Sequence, residues 1–185
     1  LETADAQVPL AGLVQPRIEP ELVFGFKAEP RAGMDEATLM ECLHWVAHGV
    51  EIVHTHYEGW RFGGAPDTVA DFGLHGRLLV GPRTPPWPGM GQDLAALTMR
   101  LHRGAAGCEE PVDEGRGTLV LDGPLQALRA WLDAMATTTP TLRVRAGDVV
   151  TTGTLTDAWP VAAGERWRTE PSDARLRGLT LRFVE

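Results

Sequence analysis

The chain has 185 residues, of which 43% are hydrophobic and 23% charged, enough to bury one substantial core and too ordinary for a disordered or fibrous class. Its net charge of −8, with no cluster of basic residues, leaves no stripe for a phosphate backbone, so nucleic acid is not an expected partner. No apolar run approaches the ~20 residues of a spanning helix, and no basic segment followed by an apolar one opens the chain, so neither membrane insertion nor export is expected.

In chain order, residues 1–15 carry no sustained period and read as an approach loop. From Ile18 to Phe26 the sequence alternates, with Ile18, Leu22, Phe24 and Phe26 on one face of a strand and Glu19, Glu21, Val23 and Gly25 on the other. Met34 to Gly49 has acidic residues in its first turn, spaced apolar residues and a closing glycine, which predicts a helix capped by Gly49. Val50 to Tyr57 resumes strand character, PDTVADFG reads as a loop, and Leu78 to Val80 as a short strand. The proline-rich PRTPPWPGMG from Pro82 is a connector between two halves. Beyond it Leu94 to Arg103 and Gly117 to Leu121 read as strands, and Pro124 to Ala136 as a helix opened by a first-turn proline. RVRAGDVVTTGTL, PVAAGERWRTE and LRGLTLRFVE are strand-bearing pieces broken by Ala-Gly-Asp and Ala-Gly-Glu turns. High glycine and proline content, 21 and 14 residues, without a repeat, fits tight turns between short strands, so a single, mainly β domain over residues 1–185 is expected.

Residues two apart on a strand share a face, so Glu19 and Glu21 project side by side and their carboxylates can converge on one ion. Two such acids repel unless a cation sits between them or one takes up a proton. Oxygen ligands favour a hard ion, magnesium first and manganese second. Taken alone, an E-x-E pair is more often two solvated acids. His44 and His48 stand four apart on the expected helix without the glutamate of a zinc protease motif, which favours a structural pair. Cys42 and Cys108, far apart and outside any C-x-x-C spacing, read as packed thiols in a reducing, cytoplasmic setting. Gly115 and Gly117 lack the context of a phosphate-binding loop.

The order of several motifs is more specific. QPRIEPELVFGF, then HGVEIVHTHYEGW, then DTVADF, followed by GRGTLVLDGPLQAL, WLDAM, VRAGDVV, TTGTLTDAWPVAAGE and a closing LRF, resemble the hydratase and decarboxylase branch of the fumarylacetoacetate hydrolase superfamily from about Gln15 to the end. The resemblance implies an α+β, mainly β fold, a mixed β-roll with flanking helices. It implies metal ligation by Glu19, Glu21 and Glu51, a substrate-lining turn at Thr152, Gly153 and Thr154, and an active-site loop holding Asp71. It further implies a small 2-oxo acid as substrate, a lyase reaction through a metal-stabilised enolate, and a homo-oligomer, with a paired hydratase and decarboxylase subunit as a variant. Hydration and decarboxylation both remain open. So do a C–C bond hydrolase and a non-catalytic partner subunit.

Three departures stand out. Family hydratases carry an N-terminal region with a lysine and an acid that act in proton transfer, for which this sequence has no counterpart; Lys27, after the metal strand, reads as a solvent-reaching side chain. The family's Asp-Ser-Arg after Glu-Ile-Val is here His54, Thr55 and His56, an H-x-H pair that strand parity puts on one face, opposite to that of Glu51 unless a bulge intervenes, and that suits zinc ligation, acid and base work, or surface or structural hydrogen bonding. The family's Ala-Asp-Asn has become Ala-Asp-Phe at Phe72.

Overall fold

The computed structural model describes residues 4–185. Its body is two five-stranded sheets with helices over the part of one sheet that the other leaves uncovered. The first sheet runs in the order β4 (His75–Val80), β3 (Leu43–Val53), β2 (Arg17–Phe26) and β7 (Val149–Thr154), with the short β8 (Trp159–Pro160) beside the start of β2. The second is β1 (Asp5–Pro9), β10 (Thr180–Val184), β9 (Arg166–Pro171), β5 (Thr98–Arg103) and β6 (Glu110–Arg116). Only β1 and β10 pair in parallel among these strands; the remaining ladders are antiparallel.

Strand β2 organises the interior because its even-numbered side chains feed two cores. Ile18, with Val50 and Ile52 of β3, packs on Leu101, Trp167, Leu181 and Phe183 of the second sheet. Further along, Leu22, Phe24 and Phe26 pack with Val46 against α1 (Glu36–Cys42), α3 (Met90–Ala96) and α4 (Pro124–Thr138) through Leu39, Leu94 and Leu128. His48 stands at the seam. It is fully buried, with Nδ1 3.0 Å from the Glu21 carbonyl and Nε2 2.7 Å from the Thr169 hydroxyl. The carbonyl can only accept, so Nδ1 carries the proton and Nε2 accepts from Thr169. One neutral ring thus ties the main chain of Glu21 to the second sheet, and burial pushes its pKa down to about 4.

The odd-numbered face of β2 and β3 is different. Val23, Trp45 and Ala47 form a small apolar wall, with the Trp45 indole lying across Gly25, where a Cβ would stand only 2.1 Å from the ring. Glu19, Glu21 and Glu51 continue that face beyond the wall.

The expected mainly β architecture is present, with several corrections. Asp5–Pro9, expected as loop, is a strand with alternating burial at Ala6 and Val8; the first three residues of that expected loop lie outside the described residues. The expected helix from Met34 to Gly49 ends at Cys42, and Leu43 to Gly49 belongs to β3. Gly49 caps nothing and sits opposite Glu21. His44 and His48 are therefore strand residues, and only His48 is buried. The first three residues of the expected strand from Leu94 are the end of α3, and β5 begins at Thr98. Gly117–Leu119 is a 3-10 turn, and β6 precedes it. The PDTVADFG loop contains the short helix α2 (Ala65–Ala70), with its proline in the first turn, where a missing N–H costs no helical bond. No helix among the described residues is long and apolar enough to cross a membrane.

Candidate metal centre

In the antiparallel ladder of β2 and β3, Glu19 lies directly opposite Glu51, and Glu21 opposite Gly49. Directly opposed side chains share a face, so all three acids emerge on the same side. One carboxylate oxygen from each lies within 4.8 Å of the others. Glu21 is 2% exposed.

On its other side β2 meets β7 through a bulge between Glu21 and Val23. Gly153 takes φ +105° there, a conformation that strongly favours glycine, and donates its N–H to Oε2 of Glu21 at 2.9 Å. The expected turn at Thr152, Gly153 and Thr154 is thus the bulged end of an edge strand. Of its members the Gly153 amide touches the acids. Thr154 donates its hydroxyl to the Thr156 carbonyl. The buried Thr152 hydroxyl has no hydrogen-bond partner among the described residues, and this residue lines a groove of about 350 Å3 with Leu121, Leu128, Trp131 and Val150.

The electrostatics are those of carboxyl groups crowded together and withdrawn from water. Burial first, then the Glu51 charge, raise the Glu19 carboxyl to about 7, against a smaller lowering by Arg17. The same two causes raise Glu21 to about 8, opposed by the Gly153 amide. Three carboxylates this close, two of them holding protons near neutrality, suit a hard divalent ion in donor type.

These shifts give a pH test. The folded chain holds protons on Glu19 and Glu21 that the unfolded chain releases near 4.5, so metal-free stability falls as pH rises from there to about 8. His48 acts oppositely, staying neutral when folded down to about 4 against 6.5 when unfolded, so its contribution grows as pH rises to 6.5 and is then complete. The clean window is therefore about pH 6.5 to 8. Across it the melting temperature in EDTA should fall with pH, and the rise produced by magnesium should grow, since ion binding displaces those protons. A flat profile in EDTA would refute the raised carboxyls.

The second group of expected residues lies where β3 ends. Strand parity does not reach His54 and His56, because β3 stops at Val53 and the chain turns, with the His54 amide donating to the Leu74 carbonyl. The two imidazoles meet edge to face at 5.2 Å, yet their partners differ. His54 Nδ1 accepts from the Val14 amide at 3.3 Å. His56 Nδ1 is 2.7 Å from Oδ1 of Asp71, whose Oδ2 accepts from the Thr55 hydroxyl at 2.7 Å and the His56 amide at 3.0 Å. These hydrogen bonds, Thr55 first, hold the Asp71 carboxyl down at about 2. It stays charged and orients His56, whose ring is 65% exposed.

His75, to which no sequence motif pointed, has Nδ1 2.6 Å from Oε1 of Glu51. In an unbroken ladder from Glu51 opposite Leu78, Val53 would face Gly76; the register shift after Ile52 brings His75 there instead, and no side-chain pattern announces it. Lys27 is exposed just past β2.

Two packed sheets carrying an acidic trio on one open face define a fold that known proteins share. The magnesium- and adipate-bound 4-oxalocrotonate decarboxylase from Pseudomonas putida G7 superimposes with a TM-score of 0.83 at 25% identity, over 98% of this chain and 66% of that one. In sequence the chain is 32% identical to 2-hydroxyhexa-2,4-dienoate hydratase of Comamonas testosteroni, over 89% of this chain and 59% of the relative. It is 31% identical to 2-keto-4-pentenoate hydratase 2 of Dechloromonas aromatica (strain RCB), over 97% and 64%. The chain thus spans about three fifths of the length of the curated relatives it matches. No family model matches. By these relatives and this fold, the chain is similar to hydratases of 2-hydroxyhexa-2,4-dienoate and 2-keto-4-pentenoate and to 4-oxalocrotonate decarboxylase.

Proposed function

We propose that this chain is the metal-binding catalytic domain of a lyase acting on a short unsaturated 2-oxo acid, with Glu19, Glu21 and Glu51 as ligands of a magnesium ion that manganese can replace. The observation that carries the reading is the convergence of those three carboxylates within 4.8 Å on one sheet face. When bound, the ion supplies Lewis-acid stabilisation of enolate charge on the oxo acid.

The chain's own residues supply position and protons. Gly153 and His48 hold Glu21 from two sides, one at its carboxylate and one at its carbonyl. The Asp71 carboxylate accepts a hydrogen bond from Nδ1–H of His56, so Nε2 of that exposed ring is the nitrogen for accepting and returning a proton, with His54 beside it. Thr152, Gly153 and Thr154 are proposed to border the substrate.

Two reactions share this machinery. Sequence favours hydration, since the matched relatives named above are hydratases, whereas the structural superposition brings in decarboxylation. The test is the ultraviolet absorbance of 2-hydroxypenta-2,4-dienoate and of 2-oxo-3-hexenedioate, each incubated with the protein with and without magnesium. Magnesium-dependent loss of the first chromophore identifies a hydratase, and of the second a decarboxylase. Loss of neither, with metal binding confirmed, rejects the lyase reading for this chain.

A further inference from the structure

The chain between α2 and β4 makes an unusual turn. Phe72, Gly73 and Leu74 have φ of 55°, 62° and 68° in succession, and two of them are residues for which the left-handed region is unfavourable. Phe72 is also 86% exposed, so no core contact of its own side chain explains the conformation. What the turn does is place its two flanking residues. Asp71 before it takes the hydrogen bonds of Thr55 and His56, and His75 after it reaches Glu51. Strain kept at such a place is expected where it holds working groups in position.

We infer that His75 is a positioning residue for the metal centre: its Nδ1–H engages Oε1 of Glu51 and orients that carboxylate toward Glu19 and Glu21 for ligation through one oxygen. This rests on the metal reading above and assigns a role to a residue outside the ligand set. A carboxylate acceptor fixes the tautomer with the proton on Nδ1. The contact is short, 2.6 Å, and it is the hydrogen bond the ring makes among the described residues. Without His75 the Glu51 carboxylate would lose the hydrogen bond that fixes its rotation among the described residues, and it could swing to present both oxygens. Partners of this kind set ligand orientation, and their loss typically weakens metal affinity by about 10- to 100-fold.

The experiment compares the parent with His75→Ala and His75→Asn. The ring is 54% exposed at the end of a strand, so both variants should fold, which metal-free melting checks. Asparagine places its amide nitrogen close to where Nδ1 stands, restoring the donor without the ring. Magnesium affinity is read by calorimetry, and the water count on the ion by proton relaxation of the manganese form. His75→Ala should bind magnesium about 10- to 100-fold more weakly and retain fewer manganese-bound waters, as Glu51 takes a second position; His75→Asn should recover most of both. Independently of metal, nitrogen shifts of the parent ring at about pH 9, where free imidazoles are neutral, should report the Nδ1–H tautomer.

Parental affinity in His75→Ala, an asparagine variant no better than alanine, or an Nε2–H ring would each overturn the role while leaving the metal reading intact. A parent that binds neither ion overturns the metal reading and this inference with it, and is distinguished by failing before any substitution is made.

Discussion

Glu21→Gln is expected to abolish the magnesium-dependent rise in melting temperature and to lower kcat/KM by at least about 10²-fold, while leaving the metal-free protein at least as stable as the parent. The divergence follows from burial. Glu21 is nearly inaccessible and is held in its protonated form to about pH 8 by desolvation and by the Glu51 charge. Glutamine keeps the shape and an oxygen to accept the Gly153 amide, but never ionises, so the repulsion that opposes folding above neutral pH disappears. The same change removes one of the three charges an ion would meet, and a ligand that binds only the native state then no longer stabilises it. Glu21→Ala would be less informative, because it also strands the Gly153 donor in a buried site. A glutamine variant that keeps the full magnesium-induced rise would reject the ligand assignment.

Gly115→Ala and Gly117→Ala are each expected to destabilise the fold by about 3 kcal/mol or more, a fall in melting temperature of roughly 10 °C for a chain of this size. Neither glycine has a left-handed backbone; what they provide is proximity. A Cβ at Gly115 would stand 1.5 Å from the carbonyl oxygen of Leu155, and one at Gly117 would stand 1.8 Å from that of Leu94. Both obstacles are main chain, so no rotamer change relieves them. Leu155 directly follows β7, and its amide bonds to the Pro20 carbonyl between Glu19 and Glu21. Gly115→Ala should therefore push the second sheet away from the strand end that buttresses the acids. Melting in EDTA measures the loss, and a shift within about 2 °C, less than roughly 1 kcal/mol here, would show that the two chains can separate at little cost.

How much of this the sequence displayed depended on whether a segment's two faces differ. Strand β2 was legible because acids and large apolar residues alternate along it, and α4 because its apolar residues keep helical spacing behind a proline. Leu43 to Gly49 was not. It lies on an inner strand whose Val46 packs beneath the helices while Trp45 and Ala47 pack on the other face, so its apolar residues carry no period of two and the helix before it seemed to continue. The mirror-image error occurred at Leu94 to Leu97, where the last turn of α3 runs directly into the alternation of β5. Gly117 to Leu121 misled through apolar composition: Leu119 closes a 3-10 turn, Leu121 stands two residues past it, and both are exposed.

At the site, the three ligand candidates came from a motif and lie together. The pairing of His56 with Asp71, and of His75 with Glu51, depends on a chain reversal after Val53 and on a left-handed turn at Phe72. Neither has a composition signal, since both conformations are imposed on residues that do not prefer them. Nor did any side-chain pattern show that the Gly153 amide stands against the Glu21 carboxylate. Main-chain donors leave no trace in a side-chain pattern.

The pairing of β2 with β3 has a consequence for the order in which the molecule assembles. These two strands are joined through a single short helix, so the trio of acids is gathered from neighbours in the sequence. Closing β1 against β10, by contrast, joins opposite ends of the described chain. Contacts between near neighbours lose the least chain entropy and tend to form first. The carboxylates should thus be forced together while much of the chain is still open, and His48 can reach Thr169 only after the second sheet arrives. Protons or a divalent ion would relieve their repulsion at that early stage, so a cation of the kind proposed for the finished site would also act on the nascent one.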